Sequence, residues 1–308
     1  MNNVYGIVPS RRLGKSLGLS TIPASTCSYS CVYCQLGRTI NMTIERENFF
    51  KIDDLVVQLE EYQDKKDEFD VITLVGEGEP TLYSQTGELI RRIKQLFDKP
   101  VALITNGSLF FLDEVRKDCM HADIVMPTLD AWDDDSFRTL NRPFKSITFE
   151  KMYNGLLEFR REYKGDFYVE IMCVKRITDQ GNNMVLLTEK INNLNPDKVF
   201  VNTPVRPPAE KWVERCTKEF VEKLQKQFKT NTDVEIPDTN LYSHNLDLYQ
   251  AIIEIIKRHP LDQSGIEKFC KIRHEDSKQI IERLSEDTQV ERIKYENKIF
   301  YRTKSKKR

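Results

Sequence analysis

The chain has 308 residues, of which 39% are hydrophobic and 31% are charged, and its formal net charge is -1. These values are ordinary for a folded globular protein, and the near-zero charge argues against a protein that coats nucleic acid. No stretch approaches the roughly 18 apolar residues of a membrane-spanning helix, and the N-terminus does not have the pattern of a secretory signal. We therefore expect a cytoplasmic protein without a membrane partner, and not a transmembrane, secreted or disordered one.

Short β-rich runs alternate with helical patterns over the first three-quarters of the chain. The predicted strands are Leu17–Ile22, Asp70–Val75, Val101–Thr105, Asp123–Thr128, Phe167–Val174 and Lys198–Asn202. The predicted helices are Ile52–Lys66, Gln85–Phe97, Leu109–Lys117, Ile147–Tyr163, Asn183–Asn193 and Ala209–Phe228. Such alternation implies parallel strands joined by right-handed crossovers. An open barrel and a doubly wound sheet both fit, and we predict that residues 1–236 form an α/β domain, a partial (β/α)6 TIM-like barrel. Both folds place ligands at the carboxyl ends of the strands.

The pattern changes after residue 236. Residues 237–246 are polar and turn-rich, which predicts a linker before a separate module at residues 247–308. Three helices and a β-hairpin are predicted there, at Leu246–Arg258, Ser264–Cys270, Glu275–Glu286 and Val290–Thr303. Their order and spacing resemble a winged helix-turn-helix. Residues 245–308 carry a net charge of +4, which favours contact with nucleic acid, whereas the acidic residues of the third helix favour docking to protein.

Three of the seven cysteines, Cys27, Cys31 and Cys34, lie within eight residues, in a loop after the first predicted strand. An odd number of cysteines without a signal peptide fits a reducing compartment and not a disulfide framework. A structural zinc site needs a fourth Cys or His nearby, and the next ones are Cys119 and His121. Three thiolates on a four-iron cluster would instead leave one iron open to another ligand. The spacing therefore favours an iron–sulfur cluster, with zinc as the alternative.

The Cys-x3-Cys-x2-Cys spacing, with an aromatic residue before the last cysteine, resembles the signature of the radical S-adenosylmethionine (SAM) superfamily. The resemblance implies a 4Fe–4S cluster bound by the three cysteines and SAM bound to its open iron. It also implies that an electron from a donor such as ferredoxin or flavodoxin cleaves SAM to a 5′-deoxyadenosyl radical, which abstracts a hydrogen from a substrate. Tyr33 occupies the aromatic position that packs near the adenine in this family.

A second motif, Gly76-Glu77-Gly78-Glu79-Pro80, directly follows the second predicted strand. Glycines let a backbone approach a ligand closely, and a carboxylate can accept hydrogen bonds from an ammonium group. The motif resembles the family's Gly-Gly-Glu-Pro, with Glu77 where a glycine is common. The resemblance implies that Gly76, Glu77, Gly78 and Glu79 bind SAM, and a tight strand-to-helix turn is the alternative.

Polar residues mark three further strands of the predicted sheet. Asn106 follows the third strand, Asp130 follows the fourth, and Glu170 lies within the otherwise apolar fifth. Because loops at this end of such sheets carry function, we predict that these side chains contact the cofactor. For Glu170, exposure at the edge of the sheet is the alternative.

Three further phrases, Val8–Gly14, Asn141–Pro143 and Asn202–Pro208, resemble a little-characterised branch of iron–sulfur oxidoreductases related to the enzymes that form the wyosine base of transfer RNA. Their arginines are candidates to hold a substrate phosphate or carboxylate, with ordinary ion pairs as the alternative: Arg11, Arg12, Arg142 and Arg206. The additional module favours a macromolecular substrate, RNA or protein. The competing hypotheses are a redox-sensing iron–sulfur regulator that binds nucleic acid through the winged helix, and a zinc-stabilised scaffold.

Overall fold

The computed structural model describes residues 2–10, 12–229 and 247–304. The predicted linker, residues 237–246, and Arg11 lie outside the described residues. Residues 2–229 contain a seven-stranded sheet with its helices and are called the sheet domain below, and residues 247–304 contain a three-stranded sheet with three helices and are called the C-terminal module. None of the described helices is long and apolar enough to cross a membrane.

The large sheet is mixed and open. The strands of the sheet domain are β1 (Val4–Ser10), β2 (Gly14–Leu19), β3 (Thr26–Cys27), β4 (Asn41–Met42), β5 (Val71–Leu74), β6 (Val101–Thr105), β7 (Ile124–Pro127), β8 (Asp166–Met172) and β9 (Lys198–Asn202). Seven of them form the sheet in the order β1-β2-β5-β6-β7-β8-β9, and only the pair β1–β2 is antiparallel. The edges β1 and β9 do not meet, so the described strands form no closed barrel. The predicted α/β class and all six predicted strands are confirmed.

The strand β1 is an addition to the six predicted strands. It forms a hairpin with β2 in which Ser10 lies opposite Gly14, and its register shifts between Tyr5 and Val8. Gly6 lies inside the strand with a φ of 55°, a left-handed conformation that glycine adopts readily. This irregularity breaks the alternation of side chains that a sequence pattern detects, and the strand therefore escapes prediction.

Seven α-helices contribute to one apolar core against the sheet. They are α1 (Ile52–Glu60), α2 (Thr86–Leu96), α3 (Asp113–Cys119), α4 (Asp134–Leu140), α5 (Phe149–Glu162), α6 (Asn183–Leu194) and α7 (Lys218–Gln227). Short 3-10 helices follow α1 at Gln63–Glu68 and precede α2 at Pro80–Leu82. The six predicted helices each have a counterpart, and α4 is an addition.

The predicted helix Ala209–Phe228 is wrong in its first half. Helix α7 begins only after Thr217, whose hydroxyl accepts a hydrogen bond from the amide of Phe220 at 3.2 Å. The preceding residues run as a loop beneath the cysteine-containing segment, where the amide of Glu210 donates to the carbonyl of Val32 at 3.0 Å. This contact between distant parts of the chain overrides the local helical pattern.

The two faces of the sheet differ in what they bury. Val125 and Phe167 face the helices, whereas Met126, Tyr168 and Phe200 pack together on the opposite face. Side chains alternate between the faces of a strand. Further along β8 and β9, Glu170 and Asn202 therefore share the face of Tyr168 and Phe200. That face is apolar around Met126, Tyr168 and Phe200 and becomes polar toward the carboxyl ends of its strands.

The C-terminal module has its own apolar core. Its elements are α8 (Leu248–Ile256), β10 (Leu261–Asp262), α9 (Gln263–Arg273), α10 (Ser277–Glu286), β11 (Val290–Tyr295) and β12 (Lys298–Thr303). The sheet is antiparallel in the order β10-β12-β11. The predicted helices and hairpin are confirmed, with the hairpin turn at Glu296 and Asn297, both at positive φ. The two-residue strand β10 was too short to be predicted.

Candidate functional site

The three clustered cysteines lie on one loop at the carboxyl end of the sheet. Cys27 ends β3, and all three side chains are partly exposed. The amide of Cys34 donates to the carbonyl of Cys31 at 3.1 Å, which forms a turn between them. Burial raises the pKa of the Cys31 thiol, and the charges of Cys27 and Cys34 raise it further, as expected for three sulfur atoms held close together.

Two side-chain amides donate hydrogen bonds to the cysteine sulfurs. Asn106 Nδ2 lies 3.4 Å from Cys27 Sγ and 3.0 Å from Ser28 Oγ, and Asn141 Nδ2 lies 3.7 Å from Cys31 Sγ. Hydrogen bonds to cysteine sulfur tune the potential of iron–sulfur clusters. Asn106 is one of the predicted cofactor-binding residues. Asn141 is not among them and belongs to the phrase Asn141–Pro143, in which Arg142 is the predicted substrate-binding candidate.

The turn of residues 76–80 packs directly against the start of the cysteine loop. Gly78 forms a parallel bridge with Thr26, and the amide of Glu79 donates to the Thr26 carbonyl at 3.1 Å. A Cβ atom at Gly78 would lie 1.8 Å from that carbonyl oxygen, and one at Gly76 would lie 2.2 Å from Ser20 Oγ. Glycine is therefore required at these two positions because other parts of the same chain, Thr26 and Ser20, pack this closely against them.

The carboxylate of Glu79 is fully buried and joins two strand ends. Its Oε1 accepts hydrogen bonds from the Thr81 amide at 3.0 Å, and from the hydroxyls of Thr81 and Thr105 at 2.6 Å. Its Oε2 accepts from the amide of Asn106 at 2.7 Å. Burial raises the pKa of Glu79 above its ordinary value, and the hydrogen bonds from these donors offset only part of that rise. Glu79 thereby fixes the position of Asn106, whose side-chain amide donates a hydrogen bond to the sulfur of Cys27.

Glu77 is directed elsewhere, toward the C-terminal module. Its Oε1 lies 3.3 Å from Nε of Arg258, and both side chains are almost entirely buried, with 6% and 4% of their areas exposed. Its backbone carbonyl accepts from the amide of Ser25 at 2.8 Å, just before the cysteine loop. Contact of the Glu77 side chain with SAM therefore remains a prediction that this geometry does not favour.

Asp130 forms a second buried polar cluster, beside Cys31. Its Oδ1 accepts from the amide of Met172 at 2.6 Å, and its Oδ2 accepts from Asn141 Nδ2 at 3.1 Å and from the hydroxyl of Tyr33. Asn141 Nδ2 also lies 3.1 Å from the Tyr33 hydroxyl. Burial raises the pKa of Asp130 to about 7, because desolvation of the carboxylate outweighs these hydrogen bonds.

This raised pKa predicts a pH dependence of stability in the cofactor-free protein. Between about pH 4 and pH 7 the folded Asp130 holds a proton that the unfolded chain has released, so the free energy of unfolding falls as pH rises. The change Asp130→Asn should remove this fall and stabilise the protein at high pH, relative to low pH, by about 2–4 kcal/mol. Urea unfolding of both proteins at about pH 5 and about pH 8 measures the difference. Parallel pH profiles of the two proteins would contradict the prediction.

Glu170 and the three candidate arginines that the structure describes are engaged within the chain. Arg12 and Asn202 both bind Glu170 Oε1. Arg142 pairs with Glu210, which also binds Arg38, and Arg206 Nη1 lies 3.3 Å from Gln35 Oε1. Glu170 thus belongs to the polar face of the sheet and not to a solvent-facing edge. A substrate role for these arginines remains a prediction.

The loop fits an iron–sulfur cluster. It offers three thiols, amide donors to two of them, and a buried Tyr29 hydroxyl without a hydrogen-bond partner within the described residues. Burial raises the pKa of that hydroxyl, and so do the charges of Cys31 and Glu79, which lie near it. Over the described ranges, no three His, Cys, Asp or Glu side chains, the clustered cysteines included, are already arranged around a metal ion. Zinc therefore stays the alternative that the sequence left open.

A cavity of about 640 Å³ opens beside β9. Its lining combines the strand end at Asn202 and Thr203 with Cys216 and with Glu296 from the hairpin of the C-terminal module. The three clustered cysteines do not line it. Through Asn202 it adjoins the polar face that carries Glu170.

Comparison with known proteins points to one superfamily. The radical SAM superfamily model matches residues 21–188. The chain is 34% identical over 323 residues to UPF0026 protein MJ1312 of Methanocaldococcus jannaschii. This match covers 100% of this chain and 98% of that protein. It is also 41% identical over 233 residues to a protein named GTPase Obg of Brachyspira hyodysenteriae, covering 76% of this chain but only 34% of that protein.

Solved structures show the same fold at low identity. Streptococcus suis SuiB bound to S-adenosylmethionine has a TM-score of 0.51 and 16% identity, covering 70% of this chain and 48% of that one. A radical SAM methyltransferase from Sphaerobacter thermophilus has a TM-score of 0.53 and 17% identity, covering 70% and 63%. The chain therefore spans less than two thirds of either protein, and the likeness concerns the fold alone.

Proposed function

Because the chain belongs to the radical SAM superfamily, we propose that it is an enzyme that cleaves SAM reductively at a 4Fe–4S cluster held by Cys27, Cys31 and Cys34. The observation that carries the proposal is the presence of three thiols on one loop, with Asn106 and Asn141 donating hydrogen bonds to two of the sulfurs. When bound, the reduced cluster would supply the electron that splits SAM into methionine and a 5′-deoxyadenosyl radical.

The chain's own residues would bind and orient SAM around the loop. Tyr33, whose hydroxyl donates to Asp130 and lies near Cys31, would pack its ring against the adenine. Oε2 of Glu79 accepts one hydrogen bond within the chain and can accept another from the ammonium group of SAM. Asp130 and Glu170 lie toward the carboxyl end of the sheet, and their carboxylates would accept hydrogen bonds from hydroxyl groups of SAM. These roles rest on the resemblance and on the positions of the side chains.

For the substrate, we favour a macromolecule that docks partly on the C-terminal module, which we propose to be a winged helix. Its hairpin already contacts the sheet domain, because Tyr295 donates to the carbonyl of Pro204 at 2.9 Å and Glu296 pairs with Arg215 at 3.0 Å. A hairpin held in this way is not free to follow a nucleic-acid groove, so a protein is favoured over RNA. For the same reason, the described residues lend no support to a nucleic-acid-binding regulator. The electron donor would be a small reducing protein such as ferredoxin or flavodoxin.

The test is anaerobic reconstitution followed by reduction in the presence of SAM. The wild-type protein should retain about four iron atoms per chain and release 5′-deoxyadenosine. Joint replacement of Cys27, Cys31 and Cys34 by alanine should remove both the iron and the product, because no other thiol adjoins the loop among the described residues. The matched control is Cys270→Ala, which removes a buried thiol in the C-terminal module. Full iron retention in the triple variant would overturn the proposal.

A further inference from the structure

Arg258, just after α8, is a buried cation of the C-terminal module that reaches into the sheet domain. Its Nη2 donates to the carbonyl of Asn2 at 3.2 Å, its guanidinium lies 4.3 Å from the centre of the Tyr5 ring, and its Nε lies 3.3 Å from Glu77. Glu254, one turn earlier, supplies a second carboxylate at 3.3 Å. A buried arginine needs such partners, because an unpaired buried charge is strongly unfavourable.

The residue that follows the third cysteine is held by the same part of the module. Gln35 Nε2 donates to the carbonyl of Arg258 at 2.9 Å and lies 3.0 Å from Nδ1 of His259. The backbone carbonyl of Gln35 accepts from Nη1 of Arg302, on β12, at 3.2 Å. Two elements of the C-terminal module thus fix the chain directly beside Cys34.

The start of the cysteine loop is tied to Arg258 through the turn of residues 76–80. The Glu77 side chain pairs with Arg258, while the Glu77 carbonyl accepts from the amide of Ser25. The next residue, Gly78, forms the bridge to Thr26, which precedes Cys27. The two ends of the cysteine loop therefore lead to the same residue, through Glu77 to the side chain of Arg258 and through Gln35 to its backbone carbonyl.

We propose that Arg258 is a positioning residue of the cofactor site, and that the C-terminal module is a structural part of that site in addition to any role in substrate docking. The proposal rests on the proposed function for the identity of the cofactor. The glutamate at position 77, where a glycine is common in the family motif, places a carboxylate 3.3 Å from Nε of this buried arginine, an atom that has no hydrogen bond within the described residues. The module would thereby hold the cysteine loop at the spacing that three thiols need to bind one cluster.

The test compares two arginines that each pair with a glutamate across the two parts of the chain. Arg258→Met removes the buried pair with Glu77, and Arg215→Met removes the half-exposed pair with Glu296 as the matched control. In the cofactor-free proteins, hydrogen exchange should rise for residues 24–27 and 76–80 in the first variant only, because the backbone carbonyl that Gln35 binds is retained. Exchange of β6 should stay unchanged in both, because a local loss of order does not reach the central strands.

A second readout uses the reconstituted protein. The rate at which iron is lost to a chelator should rise about tenfold or more in Arg258→Met and stay unchanged in Arg215→Met, as is typical when a residue that orients metal ligands is removed. If Arg258→Met does not fold, Glu77→Gln serves instead, because it removes the charge and keeps the shape. Arg258→Lys should restore part of the protection, since it keeps the charge.

The outcomes separate this inference from the proposed function. Equal exchange and equal iron loss in the Arg258 (or Glu77) variant and the control would overturn the positioning role. A rise in exchange that extends over β6 would also overturn it, because it would reveal a role in global stability only. If the wild-type protein binds no cluster, the proposed function fails, and hydrogen exchange of the cofactor-free protein still decides whether Arg258 orders the loop.

Discussion

Replacing Gly78 with alanine should remove most of the bound iron and lower the free energy of unfolding by about 3 kcal/mol. The added Cβ would lie 1.8 Å from the carbonyl oxygen of Thr26 and 2.8 Å from the side chain of Ile22. Because the first of these atoms belongs to the backbone just before Cys27, we expect relief of the clash to displace the cysteine. Iron analysis after anaerobic reconstitution and urea unfolding of the cofactor-free protein measure the two effects.

The matched control is Gly265→Ala, in the first turn of α9. There the added Cβ would come no closer than 3.3 Å, to a side-chain oxygen of Asp262, and alanine favours the helix. This variant should keep its iron and its stability. Normal iron content in Gly78→Ala would mean that the turn can move without the cysteine loop, against the geometry described.

Replacing Glu79 with alanine should destabilise the protein by about 2–5 kcal/mol and also weaken cluster binding. The change leaves the amides of Thr81 and Asn106 without their acceptor in a buried site, and it frees Asn106 to turn away from Cys27. The family motif alone suggests a narrower result, in which SAM binding weakens and the cluster stays. Urea unfolding, iron content and SAM titration together distinguish the two.

The conservative change Glu79→Gln separates charge from shape. Glutamine retains one acceptor oxygen for Thr105 and Thr81 but loses the negative charge and turns a donor toward the amide of Asn106. We expect stability and iron content between those of the wild type and Glu79→Ala, because the acceptor of the Asn106 amide is lost, and weaker binding of SAM through its ammonium group. If Glu79→Ala keeps full stability and iron, the buried carboxylate does not organise the strand ends.

The six mutually parallel strands of the large sheet were predictable because buried parallel strands are short continuous apolar runs. The strand β5, Val71–Leu74, is buried throughout and is bounded by the motif that begins at Gly76. Helix α4 has no comparable apolar stripe. Its signal is the capping box of Asp133 and Ser136, which a search for apolar periodicity overlooks.

The residues of the candidate site were predictable only where they belong to a motif of closely spaced residues in the sequence. The cysteine spacing and the turn at Gly78 are visible in the sequence, but the reason for the glycine is not, since it depends on Thr26 from another part of the chain. The contact between Gln35 and Arg258 joins residues 223 positions apart. The residues that flank Gln35 and Arg258 in the sequence contain no pattern that predicts this contact. Tertiary pairs of this kind arise from packing and are read from the structure alone.

The ties between Gln35 and the C-terminal module also bear on how the protein is made. Gln35 and Arg302 are separated by 267 residues, so a ribosome that adds about 5–20 residues per second needs roughly 15 to 50 seconds to complete the pair. During that interval the cysteine loop emerges without the arginines that flank it in the finished fold. The nascent chain thus exposes three thiols and the Glu77 carboxylate to the cell before their final surroundings exist. Under the proposed function, we expect the cysteine loop to hold a cluster firmly only after the C-terminal module has been made.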